Sequence, residues 1–160
     1  MTIFYTHIPT PVGRLLLTAT EHGLSGIHME KDGKAPENVP LDWVRDDARF
    51  AAISERLNEY FSGKRTDFDV PLDVKGTRFQ ESVWSALSRI PYGATISYAE
   101  LARRVGNPKA VRAVGQANNR NPISIIVPCH RVVGADGSLT GYGGGIERKK
   151  YLLDLEARSR

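Results

Sequence analysis

The sequence predicts an α+β fold in two parts: a small N-terminal antiparallel sheet with a helix over residues 1–74, then a mostly helical part over residues 75–160 that contains a helix-turn-helix. Three observations predict it. Short β-rich runs separated by glycine and proline turns fill the first thirty residues. Apolar residues recur at helical spacing from Phe50. Two Ser/Thr-x-x-Glu/Gln signatures open helices beyond residue 76. With 160 residues, 41% of them hydrophobic and 25% charged, the chain is large enough for a sizeable core. No apolar run approaches the roughly 18 residues that span a bilayer, which excludes a membrane-spanning helix, and the composition excludes a disordered chain. The opening Met1-Thr2-Ile3-Phe4-Tyr5-Thr6-His7 lacks a basic and then apolar leader, so a cytoplasmic protein is expected.

Taken in order, Ile3 to Ile8 and Leu15 to Thr18 flank a Thr10-Pro11-Val12-Gly13 turn, and Leu24 to Met29 follows a second turn at Glu21-His22-Gly23. Residues 30–45 are polar and punctuated by proline and glycine, and read as a loop. Phe50, Ile53, Leu57 and Phe61 then mark a helix that covers the sheet and stops at Ser62-Gly63-Lys64. Thr77-Arg78-Phe79-Gln80 is a capping box, followed by an apolar stripe of Phe79, Val83, Trp84, Leu87 and Ile90 up to Pro91-Tyr92-Gly93. Ser97-Tyr98-Ala99-Glu100 is a second box, opening a short helix that Gly106 terminates. Asn107 suits an N-cap and Pro108 the first helical position, so the next helix is expected from Pro108 to Asn118. Ala110, Ala113, Gly115 and Ala117 give that helix a surface of small residues, with Val111 and Val114 turned inward and Lys109 and Arg112 as its cations. Ile123 to Val127 reads as a short buried strand, Gly137 to Gly145 as a glycine-rich loop, and Ile146 to Glu156 as a last helix packed through Tyr151, Leu152, Leu153 and Leu155.

Charge is divided along the chain. Residues 1–97 carry net −2 and residues 98–160 net +6. No acidic residue falls between Leu101 and Ala135, where Arg103, Arg104, Lys109, Arg112, Arg120 and Arg131 lie. A solvated basic face would account for this alone, but combined with a helix-turn-helix and small side chains that let a backbone approach closely, a polyanion such as DNA is the better reading.

Cys129 is the single cysteine, which rules out an internal disulfide, and His7, His22, His28 and His130 show no metal-ligand spacing, so no metal is expected. A lone cysteine is ordinarily a small core residue. This one stands between a proline and His130 at the end of an apolar run with cations near in sequence, and an imidazole can take a thiol proton, directly or through a water. Glu156 is a candidate to orient that imidazole.

The Pro128-Cys129-His130-Arg131-Val132 run, together with Tyr92-Gly93, Ser97-Tyr98, Gly106-Asn107-Pro108, Arg112-Ala113-Val114-Gly115, Asn121-Pro122 and Tyr142-Gly143-Gly144, resembles the O6-alkylguanine-DNA alkyltransferases, also called methylated-DNA–protein-cysteine methyltransferases. The resemblance is strong over residues 77–156 and looser over the N-terminal half. It implies a single-turnover transfer of the alkyl group from O6-alkylguanine, and less so O4-alkylthymine, to Cys129. By position it makes His130 the water-linked base, Glu156 the carboxylate that polarises it and Asn121 the brace of the turn. Tyr98, Val132, Tyr142 and Gly143 would contact the substrate base, with the Cys129 and Val132 carbonyls accepting from its exocyclic amine. Arg112 would fill the gap left by a flipped nucleotide, with Lys109, Ala113 and Gly115 on the same DNA-facing helix, set in the minor groove. The implied partner is double-stranded DNA carrying O6-alkylguanine, met by a monomer, with cooperativity on DNA left open and no membrane involved.

No cofactor is implied, since Gly141-Tyr142-Gly143-Gly144-Gly145 fits neither the Rossmann nor the P-loop spacing. Three departures matter: the cysteines of zinc-holding members are absent, Gly143 stands where some members have serine, and the chain begins directly at the sheet, without a phosphotriester-sensing domain. Two other readings compete. A helix-turn-helix module with Cys129 merely buried predicts no covalent change on damaged DNA. A Cys-His acyl-transfer enzyme needs an oxyanion hole that the sequence does not reveal and leaves the basic segment unexplained.

Overall fold

The computed structural model describes residues 1–30, 39–142 and 145–159, and the chain divides into two compact units, Met1–Val74 and Lys75–Arg160. In the first unit, β1 (Phe4–Ile8), β2 (Leu15–Thr20) and β3 (Gly23–Met29) form the expected antiparallel meander, with Thr6 opposite Leu17 and Leu17 opposite Ile27. The sheet is mixed rather than purely antiparallel, because β4 (Val44–Arg45) adds to the free edge of β1 in parallel, giving the order β3-β2-β1-β4. Two exposed residues carry β4, too few to alternate, so the loop reading of residues 30–45 could not detect it. Residues 31–38 of that loop lie outside the described residues.

The helix α1 (Ala51–Phe61) follows a 3-10 turn at Asp47–Phe50 and buries Ile53, Leu57 and Tyr60, while Phe50 is buried just before it. Tyr60, rather than Phe61, is the fully buried aromatic at its end. Ser62 and Gly63, at φ 75°, stop it as expected.

The second unit is helical. Thr77 caps α2 (Arg78–Leu87) with both arms of the capping box closed: Gln80 N donates to the Thr77 hydroxyl at 3.1 Å and Thr77 N to Gln80 Oε1 at 3.0 Å. A two-residue strand β5 (Ile96–Ser97) runs parallel to β6 (Val132–Val133) and leads into α3 (Tyr98–Arg104). Ser97 caps α3, but the second arm of its box is replaced: Glu100 pairs with Arg103 at 3.2 Å and Arg104 at 3.8 Å. Gly106, at φ 85°, makes the turn. The next helix, α4, spans Val111–Asn119 and not Pro108 to Asn118: residues 107–110 form a turn closed by Ala110 N to Asn107 O at 3.0 Å, and Ala110 is the N-cap. Val111 also departs from expectation, being 39% exposed, because the later start turns it outward. Trp84 Nε1 donates to Ala117 O at 2.9 Å, tying α2 to the last turn of α4.

Ile123 to Val127 is buried as expected, apart from the half-buried Ser124 and Ile126, but it is a stitched turn, not a strand. Val127 N donates to Ile123 O at 3.0 Å and Ile126 N to Ser124 O at 2.9 Å, and Ile125 sits at φ 77°. A β-branched residue in the left-handed region costs on the order of 1–3 kcal/mol. A 3-10 turn at Cys129–Arg131 follows, and α5 (Ile146–Ser159) closes the unit with Leu152 and Leu155 buried, whereas Tyr151 and Leu153 are only half-buried. Among the described residues no helix is long and apolar enough to cross a membrane.

Candidate active site

The chemistry concentrates on the 3-10 turn and the helix packed against it. Cys129 is buried, as are His130, Arg131, Lys149 and Glu156. Asn121 shapes the approach to the turn: its Nδ2 donates to Val127 O at 2.7 Å and its Oδ1 accepts from Ile123 N at 3.0 Å, so one side chain closes the loop that delivers Cys129. Cys129, His130 and Arg131 are successive residues of this 3-10 turn and not of an extended strand.

His130 Nε2 lies 2.7 Å from Glu156 Oε2. The same carboxylate accepts from Arg131 through Nε at 2.8 Å and Nη2 at 3.0 Å, and from Gly93 N at 3.4 Å. Burial alone would raise Glu156, but the His130 hydrogen bond and the Arg131 fork overcome it and bring its pKa down to about 2. An ionised carboxylate only accepts, so the network assigns the neutral ring's proton to Nε2. His130 Nδ1 is then a bare base, buried without a hydrogen-bond partner among the described residues. Burial lowers His130 against the pull of Glu156, with Arg131 and Lys149 lowering it further. Burial likewise raises the Cys129 thiol, opposed by hydrogen bonds from Asn121 and Ser124 and by the charge of Lys149.

Two members of this arrangement were missed or misread in the sequence. The sequence places Arg131 among the cations of a polyanion-facing segment, but it is 7% exposed and spent on Glu156 and on Ile90 O, which it reaches at 2.7 Å. Lys149 was not singled out at all. It is fully buried, donates to Thr140 O at 2.8 Å and stands 5.8 Å from the Tyr98 ring centroid; burial lowers its pKa, an effect that negative charge on Cys129 opposes. Its signal was weak: a lysine two turns before Glu156 on one helix face.

The remaining candidates fall into three groups. Tyr98, first in α3, donates to Thr140 O at 3.0 Å, and Tyr142 has its phenol raised well above the usual range by burial and hydrogen-bonded with Ser124. Val132 is buried in β6, and its N–H caps the turn by donating to Cys129 O, which also accepts from Asn118 Nδ2 at 3.4 Å. On α4 and the turn before it, Lys109, Arg112 and Ala113 are exposed, while Gly115 is half-buried, with the Tyr98 ring 3.8 Å from where a Cβ would stand. Gly143 lies outside the described residues. Among the described residues no group of three or more His, Cys, Asp or Glu side chains is placed to hold a metal ion.

The fold and site thus define a protein of α+β class whose C-terminal unit joins a helix-turn-helix to a buried cysteine backed by a His-Glu-Arg cluster. Residues 78–158 match the 6-O-methylguanine DNA methyltransferase DNA binding domain and residues 3–74 the ribonuclease-like domain of the same proteins. The chain is 51% identical to a methylated-DNA–protein-cysteine methyltransferase of Methanosarcina acetivorans over 96% of its own length and 98% of that protein. The Mycobacterium tuberculosis counterpart is also 51% identical, over 96% of this chain and 92% of that one. Crystal structures of the Mycobacterium tuberculosis O6-methylguanine methyltransferase superpose with a TM-score of 0.89 at 49% identity, covering 99% of this chain and 94% of that one. A further crystal structure of that protein, in complex with DNA, gives 0.87 at 48% with the same coverage. The chain belongs to the methylated-DNA–protein-cysteine methyltransferase family.

Proposed function

We propose that this protein repairs DNA by moving the alkyl group of O6-alkylguanine onto Cys129. The observation that carries this reading is the sole cysteine, buried next in sequence to a histidine that has one ring nitrogen without a hydrogen-bond partner among the described residues and the other held by an ionised carboxylate. The alkyl carbon is out of reach inside stacked DNA, so the target nucleotide is flipped out of the duplex. Arg112, exposed near the start of α4, takes its place, and α4 lies along the minor groove, with Lys109 and the small Ala113 beside it. Arg103, Arg104 and Arg120 add exposed positive charge that binds phosphates.

In the transfer, the thiol proton passes to Nδ1 of His130 through a water, the S–C bond forms as the O6–C bond breaks, and the guanine leaving group takes a proton from Tyr98. Tyr98 must first release Thr140 O, its acceptor at 3.0 Å. The guanine amine is received at the Cys129 carbonyl, where the long Asn118 contact is the one to yield, and at the Val132 carbonyl; Tyr142 and Gly143 border the base. O4-alkylthymine is a poorer substrate, and the protein acts as a monomer in the cytoplasm. The thioether is final, because the chain has no second cysteine to reverse it.

The test is the intact mass of the protein after incubation with duplex DNA containing O6-methylguanine. One added methyl group, mapped to the Cys129 peptide and lost in Cys129→Ser, is the expected result. An unchanged mass with retained DNA binding would leave a helix-turn-helix module with a buried thiol.

A further inference from the structure

We propose that Arg131 is a positioning residue for the reaction at Cys129: its fork fixes the Glu156 carboxylate against which His130 is aligned and takes a share of that carboxylate's charge, so His130 remains a proton acceptor. The inference rests on reading Cys129 as the alkyl acceptor, and extends it to a residue outside that relay.

The geometry is specific. Nε and Nη2 of Arg131 reach the two different oxygens of Glu156, at 2.8 and 3.0 Å, and Nη1 is anchored on Ile90 O at 2.7 Å. Two parallel bonds to a planar carboxylate fix its rotation, which a single bond from His130 cannot do. The oxygen that meets His130 at 2.7 Å is the one that meets Nη2, so the imidazole and the guanidinium share one acceptor atom. Burial already disfavours the charged ring; a cation forked across the carboxylate 2.7 Å from His130 adds to this by weakening the carboxylate's pull, so the ring stays neutral and open to the thiol proton. Arg131 is 7% exposed, so solvent does not screen this effect.

The other groups facing His130 are accounted for. Cys129 and Arg131 share its turn, Glu156 and Lys149 come from α5, and Tyr142 from the loop before α5 feels both Glu156 and Cys129. Tyr92, whose ring centroid is 5.6 Å from the guanidinium carbon, flanks Arg131. None of these except Arg131 forks the carboxylate in the contacts described.

The experiment follows the His130 ring by 15N NMR across pH in the full chain, and in parallel the pH–rate profile of Cys129 with iodoacetamide. That reaction forms S–C, expels iodide and sends the thiol proton to His130. Expected in the parent is a neutral ring protonated at Nε2. In Arg131→Met the His130 midpoint moves to higher pH, and the acid limb of the rate profile moves with it. In Arg131→Lys, which keeps the charge and loses the fork, the midpoint stays near the parent while the maximal rate falls severalfold. A His130 midpoint in Arg131→Met equal to the parent's, or a parent ring protonated at Nδ1, overturns the proposal. If Arg131→Met does not fold, Arg131→Lys decides: midpoint and maximal rate both unchanged would leave Arg131 a purely structural residue. Iodoacetamide needs neither DNA nor alkylguanine, so these readouts stand apart from the methyl-transfer test.

Discussion

The two units bury polar groups of different kinds. In the first, the buried polar side chains among the described residues are Thr6, Thr18 and Thr20, and the ion pairs, such as Arg45–Asp47 and Arg65–Glu59, lie in solvent-accessible positions. In the second, Asn118, His130, Arg131, Lys149 and Glu156 are buried. A hydroxyl needs one partner to be tolerated inside a protein; a charge needs several, and good geometry. The first unit is therefore held by sheet pairing and apolar packing, whereas the second spends part of its stability on keeping ionisable groups away from water where Cys129 lies.

Removing a charge from each unit gives the sharpest break of this contrast. Glu156→Gln leaves Arg131 buried without its counter-ion and is expected to cost about 3–5 kcal/mol in urea unfolding. It should also slow Cys129 alkylation, and adding His130→Gln should slow it little more than the worse single change, because members of one relay are not additive. A second effect concerns α4, the helix proposed to face DNA: Arg112→Ala should slow repair of duplex O6-methylguanine much more than reaction with free O6-benzylguanine, which needs no flipping. Equal losses on both substrates would place Arg112 in the fold or the site instead.

Acid offers a third. His130 in the second unit and His28 in the first are both lowered by burial, so the unfolded chain takes up their protons first. Their stabilisation is present above the ordinary histidine value of 6.5 and is lost as pH falls below it. Glu156, depressed from 4.5 to about 2, adds a later loss confined to that lower window. Melting temperatures should thus drop in two stages as pH is lowered; Glu156→Gln should shrink the second stage, to which the depressed Asp47 and Asp136 also contribute, and deepen the first, because Glu156 is what pulls His130 upward. The smallest effect belongs to the first unit: Glu59→Gln, which breaks a half-exposed pair at 3.4 Å, should cost about 0.5 kcal/mol, within the range of surface ion pairs.

Legibility in the sequence follows the same division. The meander, the Thr77 capping box and the Ser62-Gly63 stop rest on neighbours in sequence, and patterns of period two and 3.6 expose them. Cys129 and His130 stand out as a pair, and the resemblance ties to them Glu156, a candidate 26 positions on. Arg131 could not be read, because hydropathy records that a residue is charged but not that its partners, Ile90 and Glu156, lie on either side in sequence and close over it. The Ile123 to Val127 run misled for a related reason: apolar composition marks burial, and only the reach of Asn121 to Ile123 and Val127 reveals that the backbone curls. Asn107 failed as an N-cap because Pro108 can begin a turn as readily as a helix.

One carbonyl oxygen has a consequence for motion. Thr140 O accepts from both the Tyr98 phenol and the Lys149 ammonium, so the start of α3, the stretch before α5 and the first turn of α5 meet on a single atom. Lifting residues 138–141 away would orphan both donors together, one of them on a wholly buried lysine. Fraying there should thus be all-or-none and should also loosen the first turns of α3 and α5. The amides of these three stretches should therefore exchange with solvent deuterium at one common opening rate, as a single cooperative unit.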